Sequence, residues 1–186
     1  MSPHQKIDVL KKQERSYLSG SVALDDDQYV LYDDLNDEVH LLDEMQERYI
    51  EVYIQKHWKR GKWQGFGILE TENGLLELHA GDMVRVKRRL PFALDEMLKE
   101  LQDETFIRFI TQLNALSFSP FDCIYSYNAL IFLDNSVNKK GVSFYQFDNE
   151  DSLCAVQHHF GRGIHSSDRL EITTSLGKRM LICGMY

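Results

Sequence analysis

Hydrophobic and polar positions change rhythm twice along this chain, near residue 90 and again near residue 129. Before the first of these they alternate in short bursts. Val22 to Leu24 and Tyr29 to Tyr32 flank Asp25-Asp26-Asp27, a polar turn that suits a hairpin. Tyr49 to Ile54 puts Ile50, Val52 and Ile54 on one face and Tyr49, Glu51 and Tyr53 on the other. A turn is expected at Arg60-Gly61, then a strand from Trp63 to Glu70 with Trp63 in the core. Glu72-Asn73-Gly74 carries the Asn-Gly pair of tight hairpins, because both residues accept positive φ cheaply. Leu75 to Leu78 returns, Gly81-Asp82 turns again, and Met83, Val84 and Val86 open a last strand. Val39 to Met45 fits a helical turn as well as a strand, and Ser2-Pro3 opens a short helix to about Arg15.

Past Pro91 the period lengthens. Leu94, Met97, Leu98 and Leu101 recur at helical spacing, and Asp103 caps a second helix striped by Phe106, Phe109, Ile110 and Leu113. Ser119-Pro120-Phe121-Asp122 reads as a capping box opening a third, short helix. Strands are then expected at Ala129–Leu133, Val142–Phe147, Leu153–Phe160, Leu170–Thr174 and Arg179–Cys183. The pattern predicts an α+β protein in two parts. Residues 1–89 would hold a short helix and a small β-barrel, SH3-like in architecture, since closure removes strand edges. Residues 90–186 would pack helices (about 91–126) on a mainly antiparallel sheet (about 128–184).

Composition narrows the class without naming a chemistry. Apolar residues at 43% and charged residues at 27% are ordinary globular usage and exclude a largely disordered chain. No apolar run approaches the roughly 18 residues of a membrane span, and the first residues lack a signal peptide's basic start and apolar core. Cys123, Cys154 and Cys183 are odd in number and widely spaced, which suggests no disulfide framework and a reducing cytoplasm.

The net charge of −8 argues against nucleic acid as the partner. Its distribution says more. Eleven acids and one base, Arg48, lie between Asp25 and Glu51, followed by basic knots at Lys56, Lys59, Arg60, Lys62 and at Arg85, Lys87, Arg88, Arg89. Trp58 and Trp63 interleave the first knot. Cations beside aromatic faces can hold anionic partners, so Lys56, Trp58, Lys59, Arg60, Lys62, Arg85, Lys87 and Arg88 form the candidate binding set. Lysines and arginines around a hairpin tip are also an ordinary solvated surface.

Other constellations fall short of a chemistry. His158 and His159 are adjacent in an expected strand, so their side chains leave opposite faces and cannot easily share one metal. With His165 they are the only metal candidates, and no cofactor is indicated. His158 shares parity with Cys154, Val156 and Phe160 and belongs on the buried face. Cys123 sits among Phe121, Ile124 and Tyr125, a setting for an inert thiol. Asp25-Asp26-Asp27 lacks a calcium loop's spaced ligands, and Gly161-Arg162-Gly163 lacks the strand–helix context of a phosphate loop.

Phe121-Asp122-Cys123-Ile124-Tyr125, Val156-Gln157-His158-His159-Phe160 and Gly177-Lys178-Arg179-Met180 resemble an uncharacterised family of small bacterial proteins, a domain of unknown function. That resemblance spans most of the chain and implies no activity. The expectation is a non-catalytic interaction protein whose partner is another protein, with a homodimer possible. The alternatives are a metal or cysteine–histidine enzyme built in the second half, and an acidic inhibitor or immunity-type protein acting through residues 25–51.

Overall fold

The computed structural model describes residues 3–33, 37–45, 49–133 and 138–186. Ser2, Asp34, Glu47 and Arg48, which entered the sequence reading, lie outside them. The chain divides into two compact units: residues 16–88, and residues 1–15 with 89–186.

The first unit is all β: β1 (Tyr17–Asp25), β2 (Gln28–Asp33), β3 (Glu38–Leu41), β4 (Tyr49–Ile54), β5 (His57–Gly65), β6 (Ile68–Thr71), β7 (Gly74–Glu77) and β8 (Met83–Lys87). They form one antiparallel sheet in the order β3-β2-β1-β8-β4-β5-β6-β7. Its ends, β3 and β7, are not paired with each other, so the closed barrel expected for 1–89 is not found. The sheet is nonetheless strongly curled. Tyr29 on β2 and Trp63 on β5 have three strands between them, about 19 Å across a flat sheet, yet their rings meet edge-on at 5.9 Å. Inside the curl lie Val22, Leu31, Ile50, Val52, Leu69, Val84 and Val86. A 3-10 turn at Leu42–Glu44 adds Leu42 to this core, and its Asp43 Oδ1 accepts from Trp63 Nε1 at 2.7 Å.

Several local expectations change. Arg60-Gly61 is not a turn: β5 runs through it, and the turn falls at Gln55-Lys56, both at positive φ. Gly61 suits the strand because a Cβ there would lie 2.9 Å from that of Leu69. Trp63 to Glu70 is not one strand but breaks at Phe66-Gly67, where a Cβ on Gly67 would strike the Tyr29 ring at 2.4 Å. Val39 to Met45 is strand β3 followed by the 3-10 turn. Thr71 faces Gly74, which centres that hairpin on Glu72-Asn73.

The second unit holds α1 (Pro3–Lys11), α2 (Phe92–Glu100), α3 (Asp103–Ala115) and β9 (Cys123–Tyr127), β10 (Lys139–Asp148), β11 (Leu153–Arg162), β12 (Ser167–Thr174) and β13 (Arg179–Met185). Its sheet is antiparallel in the order β13-β12-β11-β10-β9. The helical stripes, Leu94, Met97 and Leu98 on α2 and Phe106, Phe109, Ile110 and Leu113 on α3, share a core with Tyr145, Phe147, Val156, Leu170, Ile172 and Ile182. The opposite face of the sheet is largely open, as the alternating burial of β12 shows.

The first helix belongs to this unit, whereas the sequence grouped it with the barrel. The cause is local chemistry at two points. Lys6 Nζ donates to the carbonyls of Leu98, Lys99 and Leu101, satisfying orphan acceptors where α2 ends. The Arg15 guanidinium forks the Asp122 carboxylate at 2.5 and 2.7 Å.

The third helix is only a 3-10 turn at Pro120–Asp122, with the Ser119 capping box formed as expected. The strand expected at 129–133 is instead a 3-10 turn, Ala129–Phe132, begun where Asn128 Oδ1 accepts from Leu130 N. The strand is β9, just before it. No helix among the described residues is long and apolar enough to cross a membrane.

Candidate binding face and buried polar cluster

The convex face of the β unit follows from strand parity. Because Ile50, Val52, Val84 and Val86 fill the curl, their neighbours Tyr49, Glu51, Tyr53, Met83, Arg85 and Lys87 face outward. Register sets them side by side: Glu51 lies between Arg85 on β8 and Arg60 on β5, Tyr53 opposite Trp58, Tyr49 opposite Lys62, and Tyr17 on β1 opposite Lys87.

The rings and cations on this face are interleaved. The Arg85 guanidinium sits 4.3 Å from the Tyr17 ring and 4.2 Å from the Trp58 ring. It donates to Glu51 Oε2 from Nε at 2.6 Å and approaches it with Nη2 at 2.5 Å. Arg60 lies 4.2 Å over the Tyr49 ring, and Tyr53 and Trp58 pack at 5.1 Å. Tyr49 and Tyr53 are each 46% exposed, well beyond what core packing would leave.

Of the candidate binding set, Trp58, Arg60, Lys62, Arg85 and Lys87 come together here. Lys56 stands in the turn, Lys59 and Arg88 fall on the other parity, and none of these three joins the face. Tyr17, Tyr49, Glu51, Tyr53 and Met83 complete it and were not in the set. The alternation along β4 was the signal that could have found Tyr49, Glu51 and Tyr53, whereas Tyr17 and Met83 join through strand pairing.

Charge on the face is unevenly answered. Arg85 is neutralised by Glu51, and Glu70, opposite Lys62 on β6, is engaged by Gln64 Nε2 at 2.7 Å. Among the described residues, no ion pair answers Arg60, Lys62 or Lys87. Arg60 lies over the exposed Tyr49 ring with Lys62 opposite it, and Lys87 lies opposite Tyr17. The acidic stretch is partly structural: Asp43 holds Trp63 and Glu51 holds Arg85, while Asp25, Asp26 and Asp27 form an exposed hairpin turn.

A second polar constellation is closed to solvent. His158 Nε2 lies 2.7 Å from Asp168 Oδ1, and Arg162 Nη2 approaches the same oxygen at 2.8 Å. The Asp168 side chain is wholly buried and that of His158 nearly so. Arg162 is tied further by Nη1 to the carbonyls of Gly161 and Ser167. His159 leaves the opposite face toward Glu171 at 3.5 Å, and His165 is exposed in the β11–β12 connection. The three histidines are therefore not gathered, and no group of three His, Cys, Asp or Glu among the described residues could hold a metal. Burial pushes the Cys123 thiol up to about 12 and the Cys154 thiol up to about 11, the opposite of what a thiolate nucleophile needs.

A family model described as a protein of unknown function, DUF2777, matches residues 4–184. The uncharacterised protein YisN of Bacillus subtilis (strain 168) is 31% identical over 175 residues, covering 94% of this chain and 89% of the relative. No solved structure matches. A match running through both units, with a relative aligned over nearly its whole length, means that the chain belongs to the DUF2777 family.

Proposed function

We propose that this chain is a non-catalytic binding protein whose contact surface is the convex face of β1, β8, β4 and β5. The observation that carries the reading is the trio Arg60, Lys62 and Lys87, which have no ion pair among the described residues, beside the rings of Tyr49 and Tyr17. In this reading the curled sheet works as an SH3-like module in the cytoplasm, and its partner is an acidic segment of another protein.

The state of the rings favours protein over nucleic acid. Single strands are held by stacking bases on open aromatic faces. Here guanidinium groups already lie over Tyr49, Tyr17 and Trp58. A guanidinium stacked on a ring directs its N–H edge at the fork of a carboxylate, as Arg85 does toward Glu51, and Arg60 over Tyr49 offers the same edge to a partner. The rings thus orient cations for carboxylates more readily than they offer platforms for bases.

The test is quantitative capture from lysate with the full tagged chain and with an Arg60→Glu/Lys62→Glu/Lys87→Glu variant. The expected result is a small set of acidic proteins, released by moderate salt and missing from the variant. Identical capture by the two chains would defeat the reading.

A further inference from the structure

The convex face already contains one complete example of the contact assigned to it. Arg85 lies 4.3 Å from the Tyr17 ring and 4.2 Å from the Trp58 ring, and Glu51 Oε2 meets its Nε at 2.6 Å and its Nη2 at 2.5 Å. Strand register places a second arginine on the other side of the same carboxylate, for Glu51 faces Arg85 on β8 and Arg60 on β5. Only Arg85 takes it. Arg60 lies over the Tyr49 ring and has no ion pair among the described residues.

This ion pair is not what holds the strands together. Ile50, Val52, Val84 and Val86 pack beneath it in the core, and the β4–β8 ladder runs through it. Water reaches both side chains, Glu51 at 21% and Arg85 at 27% exposure, and an ion pair so placed contributes little to stability. Its consequence for an anionic ligand is greater. The Glu51 carboxylate occupies the edge of Arg85 that a partner's carboxylate would use. Paired positions on adjacent strands lie about 5 Å apart, so Glu51 also sets a negative charge beside Arg60. That spacing is well inside the screening length of physiological salt, and the charge opposes any carboxylate approaching Arg60. The other carboxylate near these cations, Glu70, lies at the rim opposite Lys62 and is engaged by Gln64.

Building on the binding role proposed above, we propose that Glu51 is a resident competitor for the convex face: its carboxylate stands where a partner's would bind Arg85, and so holds down the affinity for acidic segments. The wild-type face then works through Arg60, Lys62 and Lys87, which makes for a weak and salt-sensitive contact. An acidic segment that reaches past Arg60 gains Arg85 only by displacing Glu51. The partner class follows from this arrangement. It is a stretch with several carboxylates, since a single one cannot displace Glu51 and engage Arg60 together.

Fluorescence anisotropy of a labelled oligo-glutamate peptide, titrated with the full chain at low salt, tests this. Glu51→Gln keeps the side chain's shape and removes its charge. It should bind the peptide about tenfold more tightly than the wild type, the yield of one charge-assisted hydrogen bond. Glu51→Gln/Arg85→Gln should fall back to the wild-type affinity, because the gain passes through Arg85. Asp26→Asn, an equal loss of charge at the exposed β1–β2 turn, should change the affinity by less than about twofold. Circular dichroism would verify that each variant is folded. Equal or weaker binding by Glu51→Gln, beside a wild type that binds and an Arg60→Glu/Lys62→Glu/Lys87→Glu variant that does not, would overturn the proposal and leave the binding role standing. So would a gain in Asp26→Asn as large as that in Glu51→Gln, or a Glu51→Gln/Arg85→Gln variant that keeps the whole gain. A wild type that binds the peptide no better than the charge-reversed variant would defeat the binding role and this proposal together.

Discussion

Each unit of this protein contains an arginine on a carboxylate, and the two settings differ in everything else. In the β unit, Arg85 and Glu51 lie on a convex sheet face between Tyr17 and Trp58, near three further cations that have no ion pair among the described residues. In the α+β unit, Arg162 and His158 converge on one oxygen of a wholly buried Asp168. The residues with the more reactive repertoire, an imidazole and a carboxylate in contact, are sealed away. The commonplace lysines and tyrosines face solvent. Residue type alone would favour the buried cluster, whereas accessibility favours the convex face.

The contrast can be tested first by stability. Asp168→Ala leaves Arg162 and His158 without their shared acceptor in a buried setting, and should cost about 3–5 kcal/mol in urea unfolding. Glu51→Ala, on the convex face, should cost only about 1 kcal/mol, because water solvates the freed guanidinium. Equal losses would mean that the two clusters are not as differently buried as described.

A smaller effect separates burial from pairing. Burial pushes the Glu100 carboxyl up, against the opposing influence of Arg162. A carboxyl whose pKa is raised in the folded chain holds its proton more tightly there than in the unfolded chain. Its ionisation opposes folding, so stability is lost as pH rises through the folded value. Glu100→Gln should accordingly melt above the wild type at neutral pH, with the gain shrinking as pH falls toward the ordinary value of 4.5. A variant that melts lower at neutral pH would show the carboxylate to be a net stabiliser.

The thiols give the mildest check. Under native conditions near neutral pH, iodoacetamide should label the exposed Cys183 and spare Cys123 and Cys154, as mass spectrometry would show. Rapid labelling of Cys123 would revive a reactive cysteine.

Much of the fold can be read from local pattern, and the misreadings share a cause. Alternation from Tyr49 to Ile54 separates the two faces of β4 without any structure, and the stripes of α2 and α3 are equally legible. Glycine misleads where it is read as punctuation. Gly61 lies inside β5 because Leu69 crowds it, and the true turn uses Gln55-Lys56, neither of which is a typical turn residue. The apolar run 129–133 has a strand's composition, but the Asn128 side chain starts a 3-10 turn instead.

Non-local pairing is the part the sequence conceals. Arg85 meets Glu51 because β8 inserts between β1 and β4, an order no local pattern announces. Likewise, the register of β11 and β12 decides that His158 reaches Asp168. The candidate site was half legible for this reason. Its basic residues cluster in sequence, while the tyrosines that hold them come from other strands.

The central claim, that binding resides on the convex β face and not in the buried cluster, is tested most directly by parallel capture with two variants of the full chain. Arg60→Glu/Lys62→Glu/Lys87→Glu should lose the acidic partner while folding normally, and His158→Gln should retain it despite a lower melting temperature. Loss of the partner in His158→Gln with retention in the charge-reversed chain would contradict the account.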